Sequence, residues 1–253
     1  MENQHPVLIE VRNLTCSLEG KLVLDNVSFD IRKGEIFGVM GLSGAGKSTL
    51  LRNLMGLLRP QSGSIIIGGV DVAQADEATL NSVRLKMGMS FQYSALFDSL
   101  SVFDNVAFGL RRRRVPEQEV REKVAHYLEV VGMSETEALM PANLSGGMRK
   151  RVSIARALST EPEVVLYDEP TSGLDPVLAA TIDHLIQKLR DDFGVSSIVV
   201  THDVVHLFAY ADRAMMLYQG QAVECDTPEK LRQSENPVVH QFITGSMVGP
   251  IVV

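Results

Sequence analysis

Between the apolar run Ile36-Phe37-Gly38-Val39-Met40 and a set of leucines at helical spacing, Leu50, Leu51, Leu54 and Leu58, stands the octet Gly41-Leu42-Ser43-Gly44-Ala45-Gly46-Lys47-Ser48. It fits G-x-x-x-x-G-K-[ST], and its place after a strand and before a helix constrains the fold more than any other feature. Glycines let successive backbone N–H groups close around an anion, and the helix start adds partial positive charge. Lys47 is long enough to reach the β and γ phosphates of a nucleotide, and the Ser48 hydroxyl can ligate Mg²⁺. The expected phosphate contacts are Gly41, Leu42, Ser43, Gly44, Ala45, Gly46, Lys47, Ser48 and Thr49.

A phosphate cradle needs carboxylates nearby, and Val164-Val165-Leu166-Tyr167-Asp168-Glu169 offers them at the end of a hydrophobic strand. Ligands of α/β sheets bind at that edge. Asp168 is expected to hold Mg²⁺ through water, and Glu169 to orient and deprotonate an attacking water. Adjacent acids alone usually mark a solvated turn; the apolar strand and the upstream loop change that reading.

The same short, β-branched runs recur at Ile198 to Val200, again before a loop, which is the pattern of parallel strands covered on both faces by helices. Leu178, Ile182, Leu185 and Leu189 follow Asp175-Pro176 at helical spacing, with Asp as cap and Pro at the first helical position. The fold class is α/β. The first 35 residues alternate instead, as in Val27-Ser28-Phe29-Asp30-Ile31, and Ser64 to Val70 does likewise, so both predict antiparallel sheet with one wet face. Residues 93–160 show helical signals and no strand. Met215 to Tyr218, Gln219-Gly220 and Ala222-Val223 predict a hairpin, with Met215 and Met216 in the core, and a helix starts at Thr227-Pro228.

Composition excludes several classes. With 24 basic and 31 acidic side chains the formal charge is −7, so no global basic field attracts nucleic acid. Cys16 and Cys225 are far apart and lack metal-ligand spacing, so neither a disulfide framework nor a zinc site is expected. No apolar run approaches the roughly 18 residues of a membrane span. The start, Met1-Glu2-Asn3-Gln4-His5, lacks the basic and apolar regions of a leader, and the chain is expected to stay in the cytoplasm.

Leu144-Ser145-Gly146-Gly147-Met148 resembles the LSGGQ signature of ABC ATPases. Physically, Ser145 can cap a helix with the apolar face Met148, Val152, Ala155 and Leu158, and two glycines let a phosphate approach the backbone. The order of elements resembles the family along essentially the whole chain: Gln92 matches the Q-loop, Ser172-Gly173-Leu174-Asp175 the D-loop, and His202 the switch histidine. The resemblance implies a single ABC ATPase domain over 1–253. It consists of a P-loop NTPase (RecA-like) core with an N-terminal antiparallel β-subdomain, 6–92 and 161–253, and an inserted α-helical subdomain, 93–160. It further implies ATP and Mg²⁺ as ligands, Glu169 and His202 as catalytic residues, and Ser48, Gln92 and Asp168 around the metal. Residues Leu144 to Met148 would act across a homodimer, on the ATP of the opposite subunit.

Two positions depart from the pattern. Met148 replaces the usual Gln, and the segment Leu14 to Gly20 has no aromatic to stack on adenine, leaving Leu18 as the candidate for that position. The stretch Phe91 to Val106, together with LSGGM, Phe242-Ile243-Thr244-Gly245 and Gly249-Pro250, resembles the ATPases of the Mla phospholipid-transport system and its MCE-associated relatives. That resemblance implies a peripheral subunit at the cytoplasmic face of the inner membrane, with permease subunits, an MCE lipid-binding protein and a STAS-domain subunit as partners. A membrane-associated scaffold or signalling ATPase that moves no substrate is the alternative. Arg111-Arg112-Arg113-Arg114 reads either as a solvated helix end or as a contact for anionic headgroups or a permease loop.

Overall fold

The computed structural model describes residues 5–252, so most of the N-terminal start read above, Met1 to Gln4, lies outside the described residues. The chain opens with two twelve-residue strands, β1 (Val7–Leu18) and β2 (Lys21–Arg32), followed by β3 (Ile36–Met40) and α1 (Lys47–Leu54). Next come β4 (Ser62–Ile67), β5 (Val70–Asp71), α2 (Glu77–Arg84) and β6 (Met87–Ser90). The helical stretch contains α3 (Val102–Arg112), α4 (Glu117–Val130) and α5 (Gly146–Leu158). The chain then returns through β7 (Val164–Asp168), α6 (Pro176–Phe193), β8 (Ser196–Thr201) and α7 (Val204–Tyr210). It closes with β9 (Arg213–Tyr218), β10 (Gln221–Asp226), α8 (Pro228–Arg232) and α9 (Pro237–Thr244).

Two sheets result. The antiparallel one runs β2-β1-β4-β5, and the second runs β10-β9-β3-β8-β7-β6, parallel from β9 to β6 with β10 added antiparallel. β3 is apolar throughout because both of its faces are covered. Ile36 and Met40 face a core shared with α3 to α7, while Phe37 and Val39 face a second core shared with α1 and the antiparallel sheet. The same division separates Val165 and Tyr167 from Val164 and Leu166 on β7. Strands covered on both faces read as near-continuous hydrophobic runs and not as an alternation.

From Val27 onward β2 keeps a period of two, with Val27, Phe29 and Ile31 buried and Ser28 and Arg32 facing solvent; a register shift separates this stretch from buried Leu24. Met215 and Met216 are fully buried, and Gln219 and Gly220 both take positive φ, 49° and 81°, as the two-residue β9–β10 turn requires. Cys16 is buried and Cys225 half-buried, both as free thiols. Among the described residues no helix is long and apolar enough to cross a membrane.

The arginine run divides. Arg111, at the end of α3, pairs with Asp104 at 2.7 Å and with Glu117 at 2.6 Å, while Arg113 donates to the carbonyls of Thr160 and Leu85. Arg112 and Arg114 are exposed. Half of the run is therefore used to fasten α3 to its surroundings.

Candidate active site

The loop after β3 turns back on itself before α1 begins. Gly46 adopts φ 106°, a backbone conformation that a side chain disfavours, and a Cβ there would meet the Val23 carbonyl at 2.9 Å. A Cβ at Gly41 would lie 2.2 Å from the Leu217 carbonyl. Backbone contacts on both sides thus make the loop glycine-dependent. Lys47 is buried, and its Nζ donates to the carbonyls of Gly41 (2.7 Å) and Leu42 (3.0 Å). Burial lowers the pKa of this ammonium, opposed by the charges of Glu169 and Asp168.

β7 delivers the two carboxylates. Asp168, its last residue, accepts from Ser48 Oγ at 3.4 Å. Burial raises the Asp168 pKa, the Ser48 hydrogen bond lowers it, and neighbouring Glu169 raises it further. Glu169 is 8% exposed and takes φ 49°, a left-handed conformation that costs a non-glycine residue on the order of 1 to 3 kcal/mol. Its amide donates to the Val200 carbonyl at 2.9 Å, while its carboxylate accepts from Thr201 Oγ1 at 3.2 Å and lies 2.9 Å from His202 Nδ1 and 3.8 Å from Lys47 Nζ. The strained turn aims the carboxylate at the phosphate loop and not along the strand.

A cavity of about 420 Å³ collects Ser43, Gly44, Gly46, Lys47, Ser48, Thr49, Gln92, Glu169 and His202, together with Val23. Leu42 and Ala45 belong to the same loop without lining the cavity, and Gly41 serves through its carbonyl. Leu18, the sequence candidate beside the base, does not line it either. It pairs with Lys21 at the tip of the β1–β2 hairpin, and Val23, further along β2, occupies the wall instead. Val23 and Thr201 were missed by sequence reasoning. Thr201 had a signal, the strand end directly before His202, whereas Val23 depended on a hairpin register that alternation alone does not set.

Leu144 to Met148 stand apart. Ser145 caps α5, its Oγ accepting from the Met148 amide at 3.3 Å; Ser145 and Gly146 are exposed, Leu144 and Gly147 buried, Met148 half-buried. None of the five lines the cavity. They neighbour the start of α6 and the segment before it instead, since a Cβ on Gly146 would meet Leu174 at 3.6 Å and one on Gly147 would meet Leu178 at 3.4 Å. Asp175 caps α6, accepting from the amides of Val177 and Leu178 at 3.0 Å each.

A glycine loop between a parallel strand and a helix, faced by a strand-end carboxylate pair, defines a P-loop ATPase. Residues 24–172 match the family model described as ABC transporter, and the chain belongs to that family as an ATP-binding, ATP-hydrolysing subunit. It is 41% identical over 245 residues to the intermembrane phospholipid transport system ATP-binding protein MlaF of Haemophilus influenzae, covering 96% of this chain and 93% of that protein. It is also 41% identical to the probable ribonucleotide transport ATP-binding protein mkl of Mycobacterium leprae, covering 97% of this chain and 71% of that protein. Among solved structures, an ATP-binding cassette captured as a dimer in a post-hydrolysis state with ADP and Pi superposes with a TM-score of 0.80 at 30% identity, covering 87% of this chain and 98% of that one.

Proposed function

We propose that this chain powers an inner-membrane phospholipid transporter, working as a homodimer docked on permease subunits at the cytoplasmic face. The observation that carries the dimer is the separation of Leu144–Met148 from the cavity of its own chain. A capped helix start with two exposed or close-packed glycines is an anion site without an anion source, unless a second copy brings its nucleotide there. End-to-end similarity to a phospholipid-system subunit favours lipid as the cargo class, where the ribonucleotide relative extends well beyond this chain. An MCE lipid-binding protein and a STAS-domain subunit complete the assembly.

Mg²⁺ suits the site because Ser48 Oγ and Asp168 Oδ1 are hard oxygen donors brought within hydrogen-bond distance, with Gln92 lining the same cavity. Bound there with ATP, it would neutralise charge on the phosphates. Lys47 adds a fixed cation, and Glu169 takes the proton of the attacking water. His202 Nδ1 lies 2.9 Å from a Glu169 carboxylate oxygen, so the carboxylate orients the ring and Nε2 is the nitrogen left to face the γ-phosphate. His202→Ala is expected to lower turnover about 100-fold with ATP affinity held within a few-fold; a change in affinity alone, seen by equilibrium binding, would remove His202 from the reaction.

Val23 supplies apolar contact but no ring for the base. ATP and GTP are therefore expected to compete almost equally, and Val23→Tyr to tighten ATP by up to about tenfold, the stacking increment of roughly 1.4 kcal/mol. Strong adenine selectivity in the unmodified chain would show that another group reads the base. The transport reading itself is tested by purifying the chain with its membrane partners and reconstituting them. Phospholipid in the complex and ATPase stimulated by the permease are expected; ATPase indifferent to the permease and an empty complex point to the scaffold reading.

A further inference from the structure

One side of α5 holds the end of β6 and the backbone of the loop after it. Ser153 Oγ lies 3.2 Å from Ser90 Oγ, Lys150 Nζ donates to the Gln92 carbonyl at 2.5 Å, and the Arg156 guanidinium donates to the carbonyls of Ala95 (2.7 Å) and Ser94 (2.9 Å). Spacing by three keeps residues 150, 153 and 156 on neighbouring parts of the helix surface. Lys150 differs from the other two in having a partner outside β6 and its loop, the Glu169 carbonyl at 2.9 Å. A side chain only 5% exposed thus joins the helix that follows Leu144–Ser145 to Gln92 and to the strained turn at Glu169.

We propose that Lys150 is a positioning residue for ATP hydrolysis, tying the carbonyls of Gln92 and Glu169 to α5 so that both side chains are held in the nucleotide cavity. At φ 49° the Glu169 backbone is biased to relax toward the ordinary regions of φ and ψ. Relaxation would turn the carbonyl away from Lys150 and the carboxylate away from Thr201 and His202. The peptide is held at both ends, by its amide on Val200 and its carbonyl on Lys150. Lys150 does not line the cavity and cannot touch the reacting atoms. Burial brings its pKa down to about 8, against the pull of Glu169 and Asp168, yet a neutral amine still offers two N–H donors for two carbonyls. The tie therefore depends on donors and not on charge.

The inference rests on Glu169 as the base, which Glu169→Gln tests separately. Steady-state ATPase of the full chain over a range of ATP concentrations, with unfolding curves as a fold check, tests Lys150. Lys150→Met, which keeps a stem of the same length up to Cε but removes the donors, is expected to lower kcat about tenfold with KM within twofold. Lys150→Gln, whose carboxamide supplies two N–H donors one bond nearer the helix, a gap that a small shift of α5 closes, is expected to recover kcat to within threefold of the unmodified chain. Arg156→Met, which frees Ser94 and Ala95 but not Glu169, should lose less than Lys150→Met. An unchanged kcat in the Met chain, a rise in KM matching the fall in kcat, or equal losses in the Met and Arg156 variants would overturn the proposal. If the Met chain does not fold, the Gln chain decides, and a tenfold loss there overturns it.

Discussion

Glu169→Gln should bind ATP as tightly as the unmodified chain and turn it over about 100- to 10,000-fold more slowly, the range that a positioned general base contributes. The substitution keeps the size of the side chain and one acceptor oxygen for Thr201 or His202, while removing the carboxylate that takes a proton. The phosphate loop is unaffected, because Lys47 is held by the carbonyls of Gly41 and Leu42 and approaches Glu169 no closer than 3.8 Å. Binding isotherms and single-turnover hydrolysis separate the two quantities. Near-normal turnover would move the base elsewhere, and Asp168, bonded to Ser48, would be the next candidate.

The second large effect belongs to the dimer. Lys47→Ala removes the loop's buried cation, and Ser145→Arg removes the α5 cap while placing positive charge at the positive end of a helix. Each chain alone is expected to be almost inactive. Mixed, they form some dimers in which the intact loop of one copy meets the intact Leu144–Met148 of the other; with random pairing, about a quarter of all sites are rebuilt. Activity should rise toward that fraction of the unmodified value. If crosslinking demonstrates mixed dimers and no activity returns, ATP is not shared between copies in this arrangement, or its two sites work only together.

Legibility followed the range of the interactions. The loop at Gly41–Ser48, the caps Ser145 and Asp175, and the hairpin turn at Gln219-Gly220 were readable because each is set by neighbours within a few residues. The helical run through residues 93–160 was readable by the same logic, its pattern being periodic. β6 was not. Met87-Gly88-Met89-Ser90 has no β-branched residue, and it is a strand because it pairs with Val164 to Tyr167, beneath a helix so close that a Cβ on Gly88 would lie 2.7 Å from the Ala157 carbonyl. The capping of α2 by Asp76 carried a local signal that went unused.

By itself the sequence determined the chemistry: a phosphate loop, a carboxylate pair and a capped glycine helix, each encoded by residue types whose functions depend on adjacent backbone. Its two periods, all-apolar runs and strict alternation, also determined which sheet is covered on both faces and which on one. Only the tertiary structure decided which distant groups meet. Val23 and not Leu18 walls the cavity, because bulges in the β1–β2 register displace the alternation. Arg113 serves two carbonyls while its neighbours in the run face solvent. Lys150, 19 residues before Glu169, reaches that residue's carbonyl. Hydrogen bonds between segments far apart in the chain depend on a shared core that packs them together, and no local pattern encodes their geometry.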